Sequence, residues 1–180
     1  PASLELIEID KKFVEIANAL VDDADLTIEF FEGGSLVPAG EVFGAVESGT
    51  IQAGGDWPGY WAGRDAAFSP LATTSSLFNA VDYVNWIKGW GGDAVYNEVY
   101  GKFGMVYLPY GVTNNESGFR TVSKPVRTTE DLKGLRIRVP PSALASAVFE
   151  AWGARPIKLP FTQTGNALAT HLIDASENNL

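Results

Sequence analysis

The sequence predicts an α/β fold, with parallel-rich sheets flanked by helices. Two observations carry that prediction. Segments with strand alternation and segments with helical spacing take turns along most of the chain. Within residues 26–53 the order is strand, helix, strand, which implies a right-handed crossover between parallel neighbours. A third observation is permissive: hydrophobic residues make up 46% of the 180, enough for a substantial core and contrary to intrinsic disorder.

Phe13, Ile16, Ala17 and Leu20 fall at the spacing of an amphipathic helix. The acidic run Asp22-Asp23-Ala24-Asp25 breaks it. Leu26-Thr27-Ile28-Glu29-Phe30 then alternates as a strand and ends at Gly33-Gly34. Pro38 suits the first turn of a second helix. Val42, Phe43 and Val46 form its expected inner face, and Gly49 its left-handed end. Ile51-Gln52-Ala53 is a short expected strand.

Gly54-Gly55-Asp56-Trp57-Pro58-Gly59-Tyr60-Trp61 follows. Open α/β sheets bind ligands beyond their strand ends. The aromatics here either wall a small-molecule site or pack the loop onto the core. A helix over 82–88 uses Val81, Val84 and Ile87. Another starts at Asp93, uses Val95 and Val99, and ends at Gly101 or Gly104. Residues 105–109 read as a strand, and the polar run 113–118 as a turn or hinge. Thr128-Thr129-Glu130-Asp131 opens a helical turn. Ser142 caps a helix with inner residues Ala145, Val148, Phe149 and Trp152, ended by Gly153. Residues 156–159 form a strand, and Thr162 caps a last helix with Ala167 and Leu168.

The stretch Asp131-Leu132-Lys133-Gly134-Leu135-Arg136-Ile137-Arg138-Val139-Pro140 holds the main chemistry. Strand side chains alternate, so Leu135, Ile137 and Val139 face one way and Arg136 and Arg138 the other. A guanidinium fork on a rigid strand suits bidentate capture of a carboxylate. The alternative is a salt-bridged strand, with Arg138 paired to Glu130 or Asp131 and Arg136 in a neighbouring ion pair.

Formal charge is −9, which repels phosphates and anionic headgroups, so nucleic acid and membrane surfaces are poor partners. An anionic ligand must be captured by a local basic site. The chain has no cysteine, which excludes disulfides, thiolate nucleophiles and zinc–thiolate sites. No apolar run reaches the length of a membrane span. His171 is the only histidine; alone it reads as a helix C-terminal residue near the dipole. There is no nucleophile elbow, phosphate loop or metal-spaced cluster, so an enzyme is not expected.

A set of short motifs recurs in one order. They are Gly34-Ser35-Leu36, Ala45-Val46-Glu47-Ser48-Gly49-Thr50, Gly118-Phe119-Arg120, the 131–140 block, Gly153-Ala154 with Pro156-Ile157, Ala167-Leu168, and Ile173-Asp174-Ala175-Ser176-Glu177-Asn178. In this set, from about residue 13 onward, the chain resembles the periplasmic solute-binding proteins of TRAP transporters, the DctP-like family. Leu36-Val37-Pro38-Ala39 and Tyr60-Trp61-Ala62-Gly63-Arg64-Asp65 are similar to the 2-oxo-acid and monocarboxylate branch.

The resemblance implies a bilobed, type II-like periplasmic-binding-protein fold, truncated at both ends. Residues 1–120 would be most of lobe one without its first strand, 121–176 part of lobe two, and 177–180 the start of the hinge crossover. It implies a periplasmic protein that binds a small organic carboxylate and delivers it to membrane TRAP permease subunits. That acid would be a 2-oxo or hydroxy acid, or a C4-dicarboxylate. The alternative is an effector-sensing domain of a regulator with a similar bilobed fold. By the resemblance Arg138 pairs with the ligand carboxylate and Asn178 donates an amide, or else makes a hinge hydrogen bond. Arg120 is a second basic contact, Phe161 packs over the ligand, and Trp57 and Tyr60 supply lobe-one contacts. Glu177 coordinates a cation such as sodium, pairs with an arginine, or is solvated. The chain departs from the family where Gln163-Thr164-Gly165 stands in place of Glu-x-Tyr. It departs from the 2-oxo-acid branch at Glu116 and Asn178, where that branch has glutamine and tryptophan.

Overall fold

The computed structural model describes residues 4–21, 26–72, 78–112, 116–122 and 125–179. Its α-helices are α1 (Leu4–Leu20), α2 (Val42–Glu47), α3 (Phe68–Ala72), α4 (Ala80–Gly89), α5 (Gly92–Gly101), α6 (Ala143–Ala151) and α7 (Thr164–Ala169). Its strands are β1 (Glu116–Thr121), β2 (Arg136–Val139), β3 (Arg155–Lys158) and β4 (Ala175–Asn179). Packing divides the chain into two units, Pro1–Asp56 with Val84–Val112, and Trp57–Tyr83 with Thr113–Leu180. The acidic break at 22–25 lies outside the described residues, as do positions 113–115.

In the first unit α2 ends at Gly49, whose φ of 74° is open to glycine without strain. Phe43, Ile87, Tyr96, Val99 and Tyr100 are buried there. Tyr96 stacks on Tyr107 at 4.3 Å, and Phe43 meets Phe103 edge-on at 5.1 Å. Ile16, Leu20, Val81, Val84 and Val95, expected on the apolar faces of their helices, are instead exposed.

The strands expected at 26–30, 51–53 and 105–109 are corrected. Residues 26–30 and 105–109 have no ladder among the described residues, and 51–52 bend. Alternation reports an extended backbone, while a strand also needs a hydrogen-bonded neighbour. Two asparagines stand in for that neighbour. Asn18 Nδ2 donates to Ile28 O at 2.9 Å and its Oδ1 accepts from Ile28 N at 2.8 Å. Asn97 does the same for Tyr107, at 3.2 and 2.8 Å.

The second unit holds one sheet, in the order β1-β4-β2-β3. β4–β2 and β2–β3 are parallel, and β1–β4 is antiparallel. The predicted α/β class is therefore present as a mostly parallel sheet. Thr128 and Asp131 form a reciprocal capping box before β2, and Ser142 caps α6 through Ala145 N. Leu132, Leu135, Ile137, Val139, Phe149, Ala154 and Ala175 form one buried cluster. The apolar face of β2 thus packs as its alternation dictates. Val148 and Trp152, expected inside with Phe149, are exposed.

Two further expectations are corrected. Residues 116–118, read as a turn, open β1, where a register shift coincides with Gly118 at φ 79°. Residues 177–179 belong to β4. Thr162 is no cap: Pro160 starts a 3₁₀ turn over Phe161–Gln163, and α7 follows from Gln163 without a side-chain cap.

Candidate ligand-binding site

Three strands bring the basic residues together. Arg120 of β1 and Arg138 of β2 both register with Ser176 of β4, one from each side. Directly opposed residues share a sheet face. Arg120, Ser176 and Arg138 therefore form one row, with the two arginine Cα atoms about 10 Å apart at ordinary strand spacing. The opposite face carries Ile137 and Ala175 into the core.

The two arginines of β2 differ in how they are held. Arg136 makes a tight fork on Asp174, Nε to Oδ2 at 2.9 Å and Nη2 to Oδ1 at 2.5 Å. Its backbone N–H also donates to Oδ2 at 3.0 Å. The hydrogen bonds from Arg136 hold the Asp174 carboxyl down at about 2. Asp174 N donates to Arg136 O at 2.7 Å, and Asp174 O accepts from Val122 N at 3.1 Å. One residue thereby fixes the start of β4 against β2 and the end of β1.

Arg138 is 5% exposed. Its Nε donates to Leu159 O at 2.9 Å, and Nη1 approaches Glu177 O at 3.3 Å and Glu177 Oε1 at 3.4 Å. Charge-assisted contacts ordinarily close to about 2.7–2.9 Å. Arg138 is thus anchored through Nε, and its contact with the Glu177 carboxylate is long. The partner expected from local sequence is corrected. Glu130 pairs with Lys133, Asp131 is committed to the capping box, and the acid beside Arg138 is Glu177. Glu177 Oε1 faces the Arg138 guanidinium, and no group of three or more acids or histidines gathers among the described residues.

Arg120 and Ser176 border an open cleft of about 390 Å³ within the second unit. Phe161 and Leu168 give it apolar walls, and Thr162, Thr164 and Gly165 complete it. The Phe161 ring centroid also lies 5.9 Å from Arg138 Cζ, so one ring serves both the cleft and the buried guanidinium. Ser176, fully buried, was missed in the sequence; its only signal was the same alternation that orients Arg138. Asp174, Thr164 and Gly165 were also missed, since nothing local marks their partners or the cleft.

Trp57 and Tyr60 are not among the cleft's described walls. Trp57 Nε1 donates to Ala72 O at 2.7 Å, and Trp57, Tyr60 and Trp61 pack ring against edge at 5.4 and 6.2 Å. Asn178 lies on β4, but its side chain is outside the described part. His171 sits one residue past the C-cap of α7 with φ 56°, at a helix end as expected.

The profile of the DctP family, bacterial extracellular solute-binding protein family 7, matches residues 3–180. A monocarboxylate 2-oxoacid-binding periplasmic protein of Nostoc sp. is 31% identical over 147 residues, 82% of this chain and 40% of that protein. The 2,3-diketo-L-gulonate-binding periplasmic protein YiaO of Escherichia coli is 31% identical over 157 residues, 86% of this chain and 46% of that protein. A solved TRAP periplasmic solute-binding protein from Pseudoalteromonas atlantica, with bound sodium and pyruvate, superimposes with a TM-score of 0.82. It is 28% identical, with 95% of this chain and 51% of that chain covered. The chain spans about half the length of these relatives. No described helix is long and apolar enough to cross a membrane. With its profile matched over nearly the whole chain, this protein belongs to the DctP family of bacterial extracellular solute-binding proteins.

Proposed function

We propose that the full-length protein is the periplasmic solute-binding component of a TRAP transporter, capturing a small organic carboxylate and passing it to the membrane permease. One observation carries this reading. Two arginines share a strand face: Arg136 forks onto Asp174, and Arg138, in one row with Ser176 and Arg120, meets the Glu177 carboxylate at 3.4 Å. A ligand carboxylate competes with a long contact far more readily than with a closed fork. Arg138 receives the carboxylate, Arg120 adds positive charge from the same row, and Phe161 excludes water. Asn178 donates a side-chain amide, and Trp57 and Tyr60 supply contacts from lobe one, taken as residues 1–120 against 121–176. Glu177 acts as the carboxylate that orients Arg138. The protein performs recognition without chemistry, and lobe closure hides the ligand.

The regulator alternative has no support in the relatives found. Titrating the full-length protein with pyruvate, succinate and glucuronate, read by tryptophan fluorescence, tests the reading. Binding should weaken by about 100-fold or more in Arg138→Ala, the scale of a desolvated charge pair. Unchanged affinity in that variant would refute the site.

A further inference from the structure

Gly165 is a glycine that the fold does not require. It lies in the first turn of α7, and glycine gives up more backbone entropy on entering a helix than any other residue. Its φ is not among the positive ones, so no left-handed turn demands it. A Cβ built there would meet nothing within 4 Å, so no close approach demands it either. What Gly165 does is border the cleft, where the missing side chain leaves room.

Its neighbour points to the same place. Thr164 is 5% exposed and also borders the cleft, and its Oγ1 is buried with no hydrogen-bond partner. A buried hydroxyl is normally satisfied, and a polar group on a ligand would complete this one. Thr162 and Ser176 add hydroxyl-bearing walls, and Phe161 offers a flat apolar surface to the carbon skeleton of a ligand. The cleft is open along its length, about 390 Å³ in all, so a ligand longer than a three-carbon acid can extend along it.

We propose that Thr164 and Gly165 are specificity-determining positions that select a polyhydroxylated acid of sugar-acid size over a three-carbon 2-oxo acid. The inference rests on the carboxylate-binding reading above. The carboxylate goes to the arginine row, and the hydroxylated body extends over Phe161 toward Thr164 and Gly165.

The test is calorimetric titration of the full-length protein with glucuronate and pyruvate. Wild type should bind glucuronate at least about 10-fold more tightly than pyruvate, the scale of pocket discrimination by fit. Gly165→Leu should weaken glucuronate by about 10-fold or more and leave pyruvate within about 3-fold. Thr164→Val, nearly isosteric, should weaken glucuronate by about 3–10-fold and spare pyruvate. Replacing a helical glycine favours folding, and a thermal melt checks this, with Gly165→Ala as the milder variant. Pyruvate bound as tightly as glucuronate, or Gly165→Leu acting on both acids alike or on neither, would overturn the inference. If Arg138→Ala still abolishes binding in those cases, the carboxylate reading stands alone. Failure of the wild type to bind any acid would sink both.

Discussion

Removing the Asp174 carboxylate should cost several times more than removing its arginine partner. Asp174→Ala loses the fork from Arg136, and it also strands the Arg136 backbone N–H that donates to Oδ2. The ion pair is 41% and 30% exposed on its two sides, so its own contribution is about 0–1 kcal/mol. The charged hydrogen bond to the part-buried amide contributes about 1.5–3 kcal/mol. The expected loss is therefore about 2–4 kcal/mol, or roughly 3–5 °C in melting temperature for a protein of the relatives' size. Arg136→Ala leaves the carboxylate on the backbone N–H and should cost only about 0–1 kcal/mol. Urea unfolding of the full-length variants measures both, and exchange of the Val122 and Asp174 amides localises the effect. Equal losses in the two variants would refute the assignment of Asp174 as a backbone clamp and leave only a surface ion pair.

The same carboxylate predicts an acid response. Its pKa is lowered from 3.8 to about 2, so its stabilisation is complete above about pH 4 and lost as pH falls through about 2. After solvent screening this is about 1 kcal/mol, seen as a narrowing gap between wild type and Asp174→Ala in acid denaturation. Ile137 is fully buried, so Ile137→Ala should cost about 2–5 kcal/mol by denaturant unfolding. Gly153→Ala should cost about 1–2 kcal/mol, because φ is 79° and the new Cβ would lie 3.2 Å from Lys133 Cγ; a thermal melt reads it.

What was legible in the sequence was what nearest neighbours decide. The apolar face of β2 followed from alternation alone, and the Thr128–Asp131 and Ser142 caps from residue type and spacing. Helices α1, α2, α4, α5 and α6 followed from periodicity. What was not legible depended on partners far along the chain. Glu116–Thr121 carries polar, turn-forming residues and becomes a strand because β4 pairs with it. Residues 26–30 alternate as well as β2 does and 105–109 form an apolar run, yet neither finds a ladder among the described residues. The site divides in the same way. Arg138 was found as a basic residue on a rigid strand, but its carboxylate neighbour lies 39 positions away and the Arg136 partner 38 away. Local sequence offered Glu130 and Asp131 instead, and both are consumed by their own turn. The cleft at Thr164 and Gly165 had no local signature, because a missing side chain has meaning only beside the walls around it.

The asparagine clamps on Ile28 and Tyr107 make those extended segments two-sided in a chemical sense. A residue in extended chain turns its N–H and C=O to one edge, and its neighbours turn theirs to the other. Asn18 and Asn97 saturate one edge at a single residue. Thr27, Glu29, Val106 and Leu108 therefore direct their backbone groups the opposite way. Amide protons at Ile28 and Tyr107 should exchange more slowly than those at these flanking positions. A strand arriving at either segment has its edge and its phase chosen in advance: it must come from the side away from the asparagine, with Ile28 or Tyr107 at a non-hydrogen-bonded position.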